Sequence, residues 1–241
     1  MKLIPGLFAI ALWIATAPWA MAVEAVHETR PAAGFNRIEI DGQAEVVLRQ
    51  GTVEGLAIDA SAEALRNIET SVHGRTLTIE IVEQRRWWDW MFAGSATRTP
   101  RITIDLIQLE RLEAAGSVKF NAASLRSDDL RLDFAGACTL RIADLQANRL
   151  KLESAGAVKA EIAGKVGAQF VELSGASSYL AGELISDSAS LQVSGAGKAL
   201  INALKTLKVE ISGAGMVKYV GNPKVEQDIT GVGKVSRVES P

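Results

Sequence analysis

From about residue 106 onward, apolar and polar side chains alternate with period two in short runs such as Leu130-Arg131-Leu132-Asp133-Phe134 and Leu207-Lys208-Val209-Glu210-Ile211. Such alternation predicts strands with one buried face. Each run closes in a small-Gly-small tripeptide: Ala115-Gly116-Ser117, Ala135-Gly136-Ala137, Ala155-Gly156-Ala157, Ser174-Gly175-Ala176, Ser194-Gly195-Ala196, Ser212-Gly213-Ala214 and Thr230-Gly231-Val232. The glycines are separated by 20, 20, 19, 20, 18 and 18 residues. After each glycine a second alternating stretch follows, as in Val158-Lys159-Ala160-Glu161-Ile162, and then an apolar position near Leu125, Leu145, Val166, Leu184 or Leu204. No stretch sustains a 3.6-residue apolar period long enough for a helix. A unit this short cannot bury its apolar face alone, whereas stacked copies bury one continuous core. The pattern predicts an all-β chain whose C-terminal coils form a right-handed parallel β-helix.

Coils stack about 4.8 Å apart, so the residue at each bend meets its own copy above and below, and only small side chains fit. Gly42, Gly116, Gly136, Gly156, Gly175, Gly195, Gly213 and Gly231 are accordingly expected to be structural corner glycines. Neither G-x-G-x-x-G nor a P-loop pattern is present to give them a phosphate-binding role. Ile38-Glu39-Ile40-Asp41-Gly42 repeats the layout of Val209 to Gly213 and predicts a divergent opening coil. The 74 residues from Gly42 to Gly116 exceed one coil. They predict a more elaborate β-rich region with strands at 45–49, 56–60 and 76–82, and a hairpin turn at His73-Gly74.

At the start, Lys2 precedes an apolar run from Leu3 to Ala17, and Ala20-Met21-Ala22 supplies the small residues that a signal peptidase reads. About 15 apolar residues broken by Pro5 and Pro18 fall short of the roughly 20 that span a bilayer. The expected organisation is a signal peptide at 1–22, a flexible segment at 23–33, an N-terminal β region at 34–105 with an aromatic loop at 85–99, and coils at 106–238. After cleavage the chain is expected not to be an integral membrane protein, and to reside in the periplasm or at the cell surface.

The opening Gly34-Phe35-Asn36-Arg37-Ile38, the Gly51 turn, the strand Gly74-Arg75-Thr76-Leu77-Thr78-Ile79 and the repeated Ser-Gly-Ala together resemble the head GIN domain family, named for an auto-transporter adhesin head. The closing Gly221-Asn222-Pro223 before Thr230-Gly231 is similar to that family's last coil. The resemblance implies a β-helical fold and export, and it supplies no catalytic residues. Three coils carry Ala where the family usually has Ser, which bears on corner hydrogen bonds rather than on the fold.

Charge and composition narrow the function. With Lys+Arg 26, Asp+Glu 28 and a net charge of -2, the chain lacks the clustered cations that nucleic-acid binding requires. One Cys excludes an internal disulfide and any multi-Cys metal site. That residue, Cys138, occupies the core position of Val118 and Val158. Neither a metal nor a cofactor is expected. Aligning the repeats on glycine exposes an acidic column at Glu39, Glu113, Asp133, Glu153, Glu172, Gln192, Glu210 and Asp228, flanked by Arg111, Arg131, Lys151 and Lys208. It reads either as a solvated charge ladder or as a strip for cations or basic partners.

Of the ten aromatic residues after residue 22, four fall between Trp87 and Phe92. Arg85, Arg86, Trp87, Trp88, Trp90 and Phe92 therefore form the candidate binding segment, whether as a cap over the solenoid or as a contact for protein, a second copy, glycan or lipid headgroups. His27 and His73 belong to no catalytic pattern. The expected function is a non-catalytic binding or structural module of the bacterial cell envelope, an adhesin-like role being one form of it, with an unknown envelope protein or glycan, or a second copy of the chain, as partner. The alternative is a carbohydrate-active enzyme, a polysaccharide lyase or hydrolase, which a groove lined by paired carboxylates would favour.

Overall fold

The computed structural model of the chain describes residues 25–82 and 99–239. Its strands are β1 (Val26–Arg30), β2 (Arg37–Gln50), β3 (Gly55–Ala60), β4 (Ile68–His73), β5 (Thr76–Ile81) and β6 (Arg101–Leu106), with helix α1 (Ala62–Arg66) between β3 and β4. The solenoid continues through β7 (Arg111–Ala122), β8 (Leu125–Gly136), β9 (Thr139–Gly156), β10 (Lys159–Gly175), β11 (Ser178–Val193), β12 (Ala196–Ile211), β13 (Ala214–Val220), β14 (Lys224–Ile229) and β15 (Val232–Arg237). Several of these strands run through a bend and contribute to two successive turns, so the sheet winds about an axis instead of spreading flat.

Parallel register carries each coil onto the next. Ile38 pairs with Leu112, Leu112 with Leu132, Leu132 with Leu152, Leu152 with Val171, Val171 with Leu191, and Leu191 with Val209. All seven are buried. The period-two alternation thus becomes stacked aliphatic columns inside the solenoid, while the intervening polar residues form columns outside. Cys138 lies in the same interior, and burial pushes its thiol pKa up.

The N-terminal region has an order that chain position does not suggest. Strand β2 lies between β7 on one side and β5 plus β6 on the other, all parallel to it. The insertion after Gly42 therefore folds back to form a further partial turn beneath the opening coil, and the solenoid then resumes above it. Antiparallel pairs close this end: β4 with β5 through the turn at Gly74, β3 with β6, and β1 with β3. Antiparallel edges of this kind limit parallel growth of the sheet.

Three local features go beyond the periodic pattern. Residues 26–30, expected within a flexible start, form β1, because Arg30 donates to the backbone oxygens of Ile68 (2.6 Å) and Leu65 (3.2 Å) and His27 lies 2.7 Å from Asp59. A helix exists, although only one turn long; Ser61 caps it by accepting from the Ala64 N–H at 3.2 Å. Leu204, aligned by sequence with the buried Leu125, Leu145 and Leu184, is half exposed, because the coil there is shorter and its bend turns that residue outward.

The last coil differs from the others inside. Gln227 stands in register with Val209, and Arg237 with Tyr219. Val225, Ile229 and Val235 continue the neighbouring columns but are partly exposed, and Gln227 interrupts one of them where stacking stops, as suits a terminal repeat of a solenoid.

Candidate functional site

The segments preceding the corner glycines, from Arg37–Asp41 to Lys224–Ile229, form one face of the solenoid. Alternation leaves the residues five, three and one before each glycine pointing outward. The acidic column is continuous in register: Glu39 opposite Glu113, then Asp133, Glu153, Glu172, Gln192, Glu210 and Asp228. Like charges about 5 Å apart repel by about 1 kcal/mol in water, and the neighbouring column of cations offsets this. Arg111 lies 2.7 Å from Glu113 and 2.9 Å from Asp133, and Arg131 lies 2.9 Å from Asp133 and 3.0 Å from Glu153. Lys151 reaches Glu153 at 2.5 Å, and Lys208 reaches Glu210 at 2.7 Å. Each Arg bridges two coils, so the pairs form a zipper along the axis.

The zipper sets the protonation of its members. The hydrogen bond from Lys151, assisted by the charge of Arg131, holds the Glu153 carboxyl below the usual carboxylate range, with partial burial opposing. Because its folded-state pKa lies below the unfolded value of about 4.3, this contribution is present above that pH. It is lost as pH falls through the depressed value. The Glu153 side chain is 32% exposed, so the effect is screened to about 0.5 kcal/mol. Thermal melts between pH 5 and pH 3 are expected to show a smaller drop in Tm for Glu153→Gln than for the unmodified protein at low salt. Identical drops would show that the zipper contributes nothing to acid stability.

Surface hollows lie on this face and along its edge. The first, about 420 Å³, runs across Glu39, Glu113, Asp133, Glu153 and Glu172, and it exists because the outward residues beside the corner, Ala115, Ala135, Ala155 and Ser174, are small. The second, about 510 Å³, is bordered by Arg37, Arg111, Arg131 and Lys151 together with Asp128 and Asp129. The third, about 410 Å³, lies toward the C-terminal end around Phe170, Ser190 and Lys208.

A groove lined by carboxylates is therefore present, and its chemistry can be weighed. Glycoside cleavage by two carboxyl groups needs one of them kept protonated as the acid. Here Glu113 and Asp133 are ion-paired with Arg, and the Glu153 carboxyl, held by Lys151 and Arg131, is kept below the usual carboxylate range, the reverse of what an acid requires. Among the described residues no three His, Cys, Asp or Glu side chains converge to hold a metal ion.

The glycines expected at the corners stand one above another. A Cβ on Gly116, Gly136, Gly156 or Gly175 would overlap the backbone oxygen of the preceding corner glycine, and the same holds for Gly195, Gly213 and Gly231. Gly42 is covered by Ile81. Arg85, Arg86, Trp87, Trp88, Trp90 and Phe92 lie outside the described residues. The chain on either side of them is anchored: Val82 N–H donates to Asn67 O, at the end of helix α1, at 2.9 Å, and Glu45 N–H of the opening coil donates to Pro100 O at 2.9 Å.

Sequence reading missed Phe170. Alignment on glycine places it in the outward column of Arg37, Arg111, Arg131 and Lys151, and the break from cation to aromatic was the available signal.

Residues 34–223 match the family model described as "Putative auto-transporter adhesin, head GIN domain". No curated protein matches the chain. Among solved structures it is similar to a "putative adhesin" from Bacteroides fragilis, with a TM-score of 0.83 at 20% identity over 90% of this chain and 98% of that one. A "putative lipid binding protein" from Parabacteroides distasonis gives 0.68 at 18% identity, covering 89% and 97%. A "putative adhesin" from Parabacteroides merdae gives 0.64 at 18% identity, covering 89% and 96%. At these identities the likeness establishes the solenoid fold.

Proposed function

The chain belongs to the head GIN domain family, and from that premise we propose that it is an exported, non-catalytic binding module of the bacterial cell envelope that makes contact through its pre-glycine face. The observation that carries this reading is the carboxylate-lined hollow on the pre-glycine face, whose charges repeat in register along the axis, with two further hollows at the edge of that face. A rigid face with a repeating charge pattern suits an extended or repetitive partner, because one mode of contact recurs at each coil. The ion-paired state of the groove carboxylates speaks for contact over catalysis.

Export rests on the leader-like residues 1–22, followed by the segment 23–33, the β region 34–105 and the coils 106–238. Among the described residues no helix is long and apolar enough to cross a membrane. The segment carrying Trp87, Trp88, Trp90 and Phe92 with Arg85 and Arg86 is assigned as a second contact element, since aromatic residues beside Arg are frequent interface anchors.

Retention of material from a bacterial envelope fraction on the immobilised chain lacking residues 1–22 tests the reading. The Ala135→Arg/Ala155→Arg variant places long side chains in the first hollow from exposed positions, so retention is expected to fall at unchanged Tm. Replacing Trp87, Trp88 and Trp90 by Ser is expected to weaken retention independently. Undiminished retention by the Arg variant would remove the face from the proposal, and no retention by the unmodified chain would remove the binding module itself.

A further inference from the structure

We propose that the hollow beside Phe170 is a binding site for a neutral hexose unit of a glycan chain; the inference rests on the binding-face reading and names the ligand of its third hollow. Phe170 is 43% exposed, and it is the one aromatic residue in an outward column otherwise made of Arg37, Arg111, Arg131, Lys151, Ser190, Lys208 and Glu226. Its neighbours in sequence, Gln169 and Val171, point into the core and are buried. The outward position is therefore set by strand register, and the ring takes no part in the core.

The next coil presents Ser188 and Ser190 beside the ring, and these small residues open the hollow. Its volume of about 410 Å³ lies within the range of small-molecule sites, roughly 300–1,000 Å³. Thr206, Lys208, Lys224 and Glu226 supply the far wall with hydroxyl, ammonium and carboxylate groups.

This combination selects among ligand classes. A lipid chain would cover the ring but strip water from the hydroxyls and charged groups without replacing its hydrogen bonds. An anion needs uncompensated cations, whereas Lys208 is already engaged by Glu210 at 2.7 Å and Lys224 stands beside the acid Glu226. A pyranose ring meets both requirements: its C–H face packs on an aromatic ring, and its hydroxyls donate and accept around the rim.

The floor of the hollow is also rigid. Beneath it, Tyr179 OH donates to Gln169 Oε1 at 2.8 Å, and Gln169 Nε2 donates to Ser186 Oγ at 2.8 Å. These buried bonds pin the strand that carries Phe170, so little ordering is required when a ligand binds.

Ligand-observed NMR and titration calorimetry with cellohexaose, maltohexaose and mannohexaose, against polygalacturonate as an acidic chain, provide the test. At least one neutral hexaose is expected to bind in the millimolar range and more tightly than polygalacturonate. Phe170→Ala is expected to weaken binding at least tenfold and Phe170→Tyr to preserve it, with Ser190→Arg filling the hollow and abolishing it, all at nearly unchanged Tm. Failure of every neutral hexaose to bind, preference for polygalacturonate, or equal binding by Phe170→Ala overturns the inference. Envelope retention without hexaose binding would sink this inference and leave the binding-module reading standing.

Discussion

Gly175→Val is expected to cost roughly 4 kcal/mol or more and to abolish the native fold or lower its Tm steeply. Two independent causes combine at this position. The backbone has φ +90°, a conformation that a β-branched residue adopts only at a cost of about 1–3 kcal/mol. The new Cβ would also overlap the backbone oxygen of Gly156 and stand 2.8 Å from its nitrogen, and no side-chain rotation relieves a clash with backbone. Overpacking of that kind typically adds about 1–3 kcal/mol.

Because Gly195 stacks directly on Gly175, displacement at one corner is passed to the next coil. Stability of a stacked array depends on each nearest-neighbour interface, so a broadened or two-step melt is expected from whatever remains folded. Gly51→Val is the matched control, since Gly51 has open space around its Cβ direction and no left-handed φ; it should stay within about 0.5 kcal/mol. Far-UV CD melts of the two variants decide the matter, and equal midpoints would show that the corner is not tightly stacked.

Gln169→Ala is expected to cost about 3–5 kcal/mol. Gln169 is fully buried and joins Tyr179 to Ser186 inside the solenoid, where coils on the N-terminal side carry Leu130 and Leu150 at the same register. Truncation opens a cavity of the kind that costs about 2–5 kcal/mol for a residue of this size. It also leaves the Tyr179 hydroxyl, fully buried and with its pKa driven far upward by loss of solvent, without its acceptor, a further penalty of about 1–3 kcal/mol. Partial collapse of the site keeps the total below the sum of the two. Ser186 suffers less, because its hydroxyl keeps a 2.7 Å bond to Asn202 O.

The cause is separable by a second variant. Gln169→Leu combined with Tyr179→Phe restores the aliphatic column and removes the orphaned hydroxyl, so its stability should return to within about 1 kcal/mol of the unmodified protein. Chemical denaturation of both variants checks this. A loss under 1 kcal/mol for Gln169→Ala would mean that water replaces the amide and the network is not dry. Glu172→Ala, on the same strand but in the exposed acidic column, should change stability by less than about 0.5 kcal/mol.

Much of this molecule follows from the order of its residues alone. Period-two alternation fixed which side chains face inward, and the recurrence of small-Gly-small at 18 to 20 residues fixed the coil length, so the aliphatic columns and the acidic and basic columns could all be read by alignment on glycine. These properties are local or strictly periodic, and a repeated chain has little freedom to violate them. Tertiary structure decided the rest. That β2 is sandwiched between β7 and the pair β5 and β6 depends on where a long insertion folds back, and alternation is the same whichever neighbour a strand chooses. Whether Val26–Arg30 pairs with β3 turned on Arg30 reaching the backbone of Leu65 and Ile68, more than thirty residues away. The hollow at Phe170 likewise arises only when Ser188 and Ser190 of the following coil and Lys224 of the last coil are brought beside it. Sequence determines the repeating contents of each coil; concavity, capping and the company each outward side chain keeps are set by contacts between coils, which no periodicity along the chain encodes.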